Sequence, residues 1–161
     1  MARHASSAQQ LFELAIALKA AQRELERRMN DAVRPLGLTA AQADAVRVIG
    51  QAGPLSLKEL GDLLIAEAGH PSRLVDRLVE ARLVARKTAG DDRRRVVLSL
   101  TAKGRRLERR IRTAREGVLA LAQQLVGHRD VQPALDLLTD LLEHTPYAGL
   151  VARRRELERA G

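Results

Sequence analysis

The 161-residue sequence contains no cysteine and no tryptophan, and it has only one tyrosine and one phenylalanine. The absence of cysteine excludes a disulfide framework, a thiolate zinc site, a thiol redox sensor and a cysteine nucleophile. So few aromatic side chains cannot form a platform on which single-stranded bases stack. No apolar run approaches the roughly 20 residues that span a membrane, and the first residues lack a signal peptide's apolar core. We therefore expect a cytoplasmic protein with no membrane partner.

Leucine and alanine are abundant, with 27 and 26 copies. Both residues favour helices, so the composition predicts a mainly helical protein. The hydrophobic fraction of 45% is sufficient for a packed core, unlike that of a disordered tail. The length fits one domain of ordinary size.

The positive charge is concentrated in one part of the chain. The net charge is +8, yet residues 70–115 contain 15 Lys and Arg against 5 Asp and Glu, and the remaining 115 residues are slightly acidic. Such a patch is typical of a protein that binds a polyanion. Codon bias can explain why 24 of the 28 basic residues are arginine, but it does not explain the clustering.

Two helices are predicted in the first third of the chain. Leucines at positions 11, 14, 18 and 25 form one stripe of a long amphipathic helix that Pro35 and Gly37 end. Thr39 and Gln42 form a capping box, in which each side chain satisfies the other residue's backbone N–H. The helix that follows is expected to stop near Gly50.

A second helix pair follows. Ser56 and Glu59 form another capping box at the start of a helix predicted to reach about Ile65. Pro71 suits the first position of a fourth helix, where its missing N–H costs nothing. The spacing places an apolar set on the inner side of this helix, namely Leu74, Val75 and Leu78, and a polar set on its outer side, namely Ser72, Arg73, Asp76, Arg77 and Glu80.

The periodicity then changes to that of strands. Residues 83–88 and 95–100 are predicted to form a β-hairpin around turn residues 89–92. Arg93, Arg94 and Arg95 are expected at the exit of the hairpin loop. Thr101 is predicted to cap the helix that follows.

Two further apolar seams occupy the C-terminal part. The long fifth helix contains Leu107, Ile111, Ala114, Val118, Leu121 and Leu125 at alternating spacings of four and three residues. A last helix from about Asp130 contains Val131, Leu135, Leu138 and Leu142 on one stripe, and Pro146 stops or kinks it. Residues 153–159 are interpreted as a frayed helical end. Packing within the chain is one explanation of the seams; packing between subunits is favoured, because seams at both chain ends would otherwise be exposed.

This order of elements predicts a mainly α winged helix-turn-helix fold with a small β-hairpin wing. The fourth helix offers an arginine-bearing face to the major groove of double-stranded DNA, and the hairpin can reach a flanking minor groove. Residues 60–65, 71–84 and 92–104 also resemble the multiple-antibiotic-resistance regulator (MarR) family. The resemblance is sharpest in the Asp-x-Arg wing and the Val-x-Leu-x-Leu-Thr-x-x-Gly segment that follows it. One departure is Arg82, where the family usually has glycine.

The resemblance implies a single domain over residues 1–161, with a DNA-binding part at 38–104 and dimerisation helices at 7–36 and 105–161. It implies a homodimer that binds a pseudo-palindromic operator and that a small molecule can release. The DNA-binding positions correspond to His70, Ser72, Arg73, Asp76, Arg77, Arg93, Arg94 and Arg95, with Asp92 holding Arg94. The predicted dimerisation residues are Leu11, Leu14, Leu18, Leu107, Ile111, Val118, Leu121, Leu125, Leu135, Leu138 and Leu142.

Other interpretations remain open for these features. Arg73 and Arg77 can belong to a solvated helix face that pairs with Asp76 and Glu80, and the arginines at 105–115 can be solvated or can contact a DNA backbone. No histidine has metal-ligand spacing, and no nucleotide-binding or nucleophile motif is present, so we expect no metal, cofactor or enzymatic activity. The alternative functions are a helical protein–protein adaptor and a non-specific nucleoid protein. A ligand pocket lined by aliphatic groups and arginine is predicted between the first, second and fifth helices.

Overall fold

Seven helices and one hairpin make up the part of the chain that the structure describes. The structure is a computed structural model and describes residues 7–65, 71–89 and 92–160, without the side chains of residues 89, 92–95 and 160. The elements, in chain order, are α1 (Ser7–Val33), α2 (Ala40–Ala52), α3 (Leu57–Gly61), α4 (Pro71–Glu80), β1 (Val84–Ala89), β2 (Asp92–Leu100), α5 (Ala102–Val126), α6 (Gln132–Leu142) and α7 (Tyr147–Ala160). This confirms the mainly helical winged helix-turn-helix fold.

The predicted caps form as expected. Thr39 Oγ accepts from the backbone N–H of Gln42, and the Gln42 side chain accepts from the backbone N–H of Thr39. Ser56 and Glu59 make the same reciprocal pair at the start of α3. Thr101 Oγ accepts from the Gly104 N–H at 3.0 Å and caps α5. The local sequence thus determines where these three helices begin.

The core lies where α2, α4 and the hairpin meet. Residues of α2, including Val46, Val48 and Ile49, are fully buried. Leu78 of α4 and Leu98 of β2 are buried in the same cluster. Apolar contacts therefore hold the inner side of α4 against the rest of the fold. The inner side predicted from the sequence is confirmed.

The hairpin is antiparallel, with Val84 opposite Leu100 at its base. Leu55, in the connection between α2 and α3, exchanges two backbone hydrogen bonds with Leu98. At the other side of the base, the backbone N–H of Thr101 donates to the Leu83 carbonyl at 3.0 Å. These bonds connect the base of the wing to both the helix-turn-helix and α5.

Three predicted boundaries were wrong. Helix α2 continues past Gly50 to Ala52, because Gly50 serves close packing rather than termination: a Cβ there would lie 3.1 Å from a Leu100 methyl group and 3.2 Å from Glu108 Cγ. Helix α3 ends at Gly61 rather than near Ile65. Strand β2 begins at Asp92 rather than at Arg95, because Asp92 pairs with Ala89, and residues 93–95 lie in an irregularity between that pair and the Thr88–Val96 pair.

The C-terminal tail also differs from the expectation of a frayed end. Pro146 stops α6, and α7 is a regular helix that packs against α6 and α2. Leu150 is buried, and Leu157 packs partly buried against the core cluster. No helix within the described ranges is both long enough and apolar enough to cross a membrane.

Candidate DNA interface and ligand cavity

The exposed face of α4 contains two arginines without a carboxylate partner. Ser72, Arg73 and Arg77 are exposed, and among the described residues no Asp or Glu lies within ion-pair distance of either guanidinium. The alternative in which Asp76 pairs with an arginine on its own helix is not what the structure shows. Both guanidinium groups are therefore free to contact an anion.

Asp76 instead connects α4 to the wing. Its Oδ1 accepts a hydrogen bond from Arg86 Nη2 of β1 at 2.5 Å, and both side chains are about half exposed. An exposed ion pair contributes little to stability, but it can set the position of the hairpin relative to α4. The sequence analysis missed Arg86, because strand alternation places it on the same face as the buried Val84 and opposite Leu98, where an apolar side chain is expected.

The remaining predicted DNA contacts are described only in part. His70 lies outside the described residues. The backbone of residues 92–95 lies in β2, next to Ala89 and Thr88 of β1, while the side chains of Asp92, Arg93, Arg94 and Arg95 lie outside the described part. The assignment of these residues to the wing contact stays a prediction.

Side-chain hydrogen bonds to backbone carbonyls hold the turn that follows α4. Thr101 Oγ donates to the Arg82 carbonyl at 2.7 Å, and Lys103 Nζ donates to the Ala81 carbonyl at 2.9 Å. Arg82 itself has φ of 57°, in the left-handed region. The turn therefore forms with arginine at position 82, where the MarR family usually has glycine, but the left-handed conformation is strained for a residue with a side chain.

A cavity of about 370 Å³ lies between α1, α2 and α5, where the sequence predicted a pocket. Its walls are mostly apolar and include Leu25, Met29, Leu64 and Val118. Its charged lining residues are Glu26, Asp44, Arg47 and Arg115. The predicted lining of aliphatic groups and arginine is thus confirmed, with two carboxylates in addition.

Arg47 is the most unusual of these residues, because it is a buried charged residue at 7% exposure. Its guanidinium donates to Gln51 and Glu158 through Nη1 and to Asp44 through Nη2. Burial lowers the pKa of Arg47, the nearby positive charge of Arg154 lowers it further, and Asp44 raises it. Sequence reasoning missed this residue, since nothing in the helical pattern distinguishes it from a solvated arginine.

The predicted dimerisation residues fall into two groups. Ile111 is 1% exposed and lies in the core of its own chain, so its assignment to a dimer interface was wrong; Leu107 also packs partly against that core. The others keep exposed or half-exposed apolar surface: Leu11, Leu14, Leu18, Val118, Leu121, Leu125, Leu135, Leu138 and Leu142. The sequence analysis missed further exposed apolar side chains, namely Phe12, Ile16, Leu119, Leu137, Leu141 and Tyr147.

Comparison with known proteins agrees with this architecture. Residues 38–104 match the family model described as a winged helix DNA-binding domain. The chain is 34% identical over 94 residues to the HTH-type transcriptional regulator YcgE of Bacillus subtilis, an alignment that spans 58% of this chain and 61% of that protein. It is 26% identical over 131 residues to the organic hydroperoxide resistance transcriptional regulator of the same organism, spanning 81% of this chain and 88% of that protein.

Solved structures extend the likeness beyond residues 38–104. The reduced form of MarR from Escherichia coli is 25% identical, with a TM-score of 0.61 over 81% of this chain and 94% of that chain. These comparisons support a winged helix DNA-binding transcription regulator whose structural neighbours include MarR. The YusO protein of Bacillus subtilis, at 21% identity and a TM-score of 0.58, shares the same fold over 88% of this chain and its own full length.

The relatives whose sequences match the chain are named as transcriptional regulators. Within the described residues no group of three His, Asp or Glu side chains is arranged to hold a metal ion. The features described for this part of the chain are the exposed arginines of α4, the apolar surface of α1, α5 and α6, and the cavity between α1, α2 and α5.

Proposed function

We propose that this winged helix regulator binds a specific double-stranded operator through α4 and the wing. The observation that supports the proposal best is the pair of exposed, unpartnered arginines, Arg73 and Arg77, on a helix whose opposite side is fully buried. A rigid helix with free guanidinium groups can make bidentate contacts with guanine or with phosphate. The arginines of the wing, residues 93–95, supply the adjacent minor-groove contact.

Binding to the DNA upstream of the gene tests this proposal. Arg73→Ala and Arg77→Ala should each weaken binding by about 1–3 kcal/mol where the arginine reads a base, or should reduce the salt slope by about 0.9 where it contacts a phosphate. Arg153→Ala, which removes an exposed arginine from α7, is the control and should change neither quantity. Fluorescence anisotropy at several salt concentrations measures both. Equal affinities for wild type and both α4 variants would contradict the proposal.

Competition with random DNA separates this function from that of a non-specific nucleoid protein. A specific regulator should prefer its site by roughly 10³-fold or more. An adaptor that has lost DNA binding would show no salt-dependent binding to either DNA.

We further propose that the regulator acts as a homodimer. Within the described part of the chain, the apolar side chains of α1, the C-terminal half of α5 and α6 stay exposed or half-exposed, and a second copy would bury them. Leu125 is the most exposed of these residues, at 67%. Leu125→Glu should shift the protein toward monomer in analytical ultracentrifugation. Gln123→Glu introduces the same charge on the opposite side of α5 and should leave the dimer intact; equal behaviour of the two variants would rule out this seam.

Finally, we propose that the regulator is a repressor and that an organic acid in the cavity releases it from DNA. The cavity has room for a small organic molecule, with apolar walls and two arginines that can bind a carboxylate. Since the 161 residues include no cysteine, a thiol switch within them is excluded, and this favours ligand binding as the switch. Loss of operator binding on addition of aromatic carboxylates, and not of their amides, is the expected result.

A further inference from the structure

Helix α7 places a carboxylate on the two arginines that line the cavity. Glu158 Oε2 accepts a hydrogen bond from Arg115 Nη1 at 2.9 Å, and Glu158 Oε1 accepts from Arg47 Nη1. The three residues come from α7, α5 and α2. The carboxylate of Glu158 is therefore hydrogen-bonded to both guanidinium groups through which the cavity could bind an acid.

The charges around Glu158 favour an anion at this position. Among the described residues, Arg47, Arg115 and Arg154 form ion pairs with two carboxylates, Asp44 and Glu158, so the ion-paired cluster has one more guanidinium than carboxylate. Glu26 also lines the cavity but forms no ion pair with these arginines. Arg154 donates to Asp44 at 2.6 Å through Nη2, while its buried Nη1 has no hydrogen-bond partner within the described structure. Removal of Glu158 would leave three clustered guanidinium groups with one carboxylate, and a buried charge without a partner is unfavourable.

Few apolar contacts hold α7 against α2. Leu150 is its one described side chain in the buried class, and Leu157 packs only partly against the core. Six of the fourteen residues of α7 are charged. The remaining attachments are polar: Arg154 to Asp44, Glu158 to Arg47 and Arg115, and Arg155 to Thr139 of α6 at 3.1 Å. The docking of α7 thus depends on the same ion pairs that border the cavity.

We propose that Glu158 is an internal competitor of the effector: a carboxylate ligand in the cavity replaces it at Arg47 and Arg115, and α7 then separates from α2. The inference rests on the proposed function only in treating the cavity as the effector site. It adds the order of events, in which one carboxylate is exchanged for another and the helix that joins α6 to α2 is released. The exchange keeps the charge of the cluster constant, so neither state leaves the buried guanidinium of Arg47 without an anion.

Benzoate serves as the test ligand, with benzamide as its uncharged equivalent. In calorimetric titrations of the full chain, Glu158→Gln should tighten benzoate binding at least about fivefold, because the ligand no longer has to displace an internal carboxylate. Glu156→Gln removes the same charge from an exposed position of the same helix and should leave the affinity within twofold. Benzamide should not distinguish among the three proteins.

Hydrogen exchange measures the release of α7. Benzoate should increase amide exchange in residues 147–160 of the wild type and of Glu156→Gln. In Glu158→Gln the exchange should be high without ligand and should not rise further. Equal benzoate affinity in wild type and Glu158→Gln, no binding to Glu158→Gln, or slower exchange of α7 on binding would each overturn the proposal.

A second variant covers the case in which Glu158→Gln is poorly folded. Glu158→Asp keeps the charge but is one methylene shorter, so it should compete less well and should also bind benzoate more tightly than wild type; unchanged affinity would overturn the proposal. DNA binding is measured separately. If benzoate displaces Glu158 without changing operator affinity, the effector function fails while the competition stands.

Discussion

Gly104, the third residue after the Thr101 cap of α5, lies close to the backbone of Leu83, which follows the turn after α4. A Cβ atom added at this position would lie 2.1 Å from the carbonyl oxygen of Leu83. That carbonyl accepts from the backbone N–H and the hydroxyl of Thr101, at 3.0 and 3.3 Å. Because the obstacle is hydrogen-bonded backbone, no side-chain rotation can relieve the contact.

The cost of Gly104→Ala follows from this geometry. Carbon and oxygen must separate by about 1 Å to reach an ordinary contact, which is an overpacking strain near the upper end of the usual 1–3 kcal/mol. Loss of one hydrogen bond to Leu83 costs about 1 kcal/mol more. Alanine in a helix returns about 1 kcal/mol relative to glycine. The net loss of unfolding free energy should therefore be about 2–3 kcal/mol, or roughly 4–12 °C in Tm for a chain of this size.

Gly117→Ala is the matched control, because Gly117 lies in the same helix and a Cβ there meets no atom within 4 Å. It should stabilise the protein by about 0.5–1 kcal/mol through helix propensity alone. Urea unfolding followed by circular dichroism, at one fixed protein concentration because the protein is proposed to dimerise, measures both variants. If the two substitutions change stability alike, or if Gly104→Ala costs less than about 0.5 kcal/mol, the close approach does not exist as described.

Two further predictions follow from local conformation and charge. Arg82→Gly should raise the unfolding free energy by up to about 1 kcal/mol, because φ of 57° is strained for a residue with a side chain. Arg82→Ala should not raise it, because alanine also has a Cβ. Urea titration measures both variants, and a stabilising alanine would contradict the reasoning. The hydrogen bond from Arg27 is the largest cause of a depressed pKa at Glu24, and together with the hydrogen bond from Arg28 and the charges of both arginines it lowers that pKa from 4.5 to about 2. Since the folded-state pKa is depressed, this contribution to stability is present above about pH 4.5 and is lost as the pH falls toward 2. Arg27→Gln should raise the pKa of Glu24 in an NMR titration, and an unchanged titration would refute the assigned cause.

Local signals were sufficient for the parts of the fold that local interactions determine. A capping box involves residues three apart, so Thr39–Gln42 and Ser56–Glu59 were readable from the sequence and are formed. The two sides of α4 followed from helical spacing in the same way, and the buried and exposed residues are those predicted. The cavity between α1, α2 and α5 was expected from the family resemblance, and the structure has a cavity at that place.

Interactions between distant residues explain what the sequence could not supply. Ile111 follows the same spacing as the exposed leucines of its seam, yet it is buried by contacts within its own chain. Arg47 and Glu158 are 111 positions apart, so neither the burial of the arginine nor the docking of α7 has a local signature. Gly50 was interpreted as a helix end because glycine commonly ends helices, whereas its role is to let Leu100 and Glu108 approach α2.

The contacts of α2 determine which element can respond to a ligand. Helix α2 contacts α1, α4, α5, α7 and β2, and six of its thirteen residues are buried. Asp44 and Arg47 lie on the side of α2 that faces the cavity. The proposed ligand would therefore act directly on the helix that packs against α4. Rotation of α2 toward the ligand would disrupt the core contacts of Val46, Val48 and Ile49, whereas separation of α7 exposes mainly Leu150. Of the two helices, α7 has fewer buried apolar residues than α2 and should open at the lower free energy. Helix α7 should therefore move first, and α2 should then transmit the loss of its connection to α6.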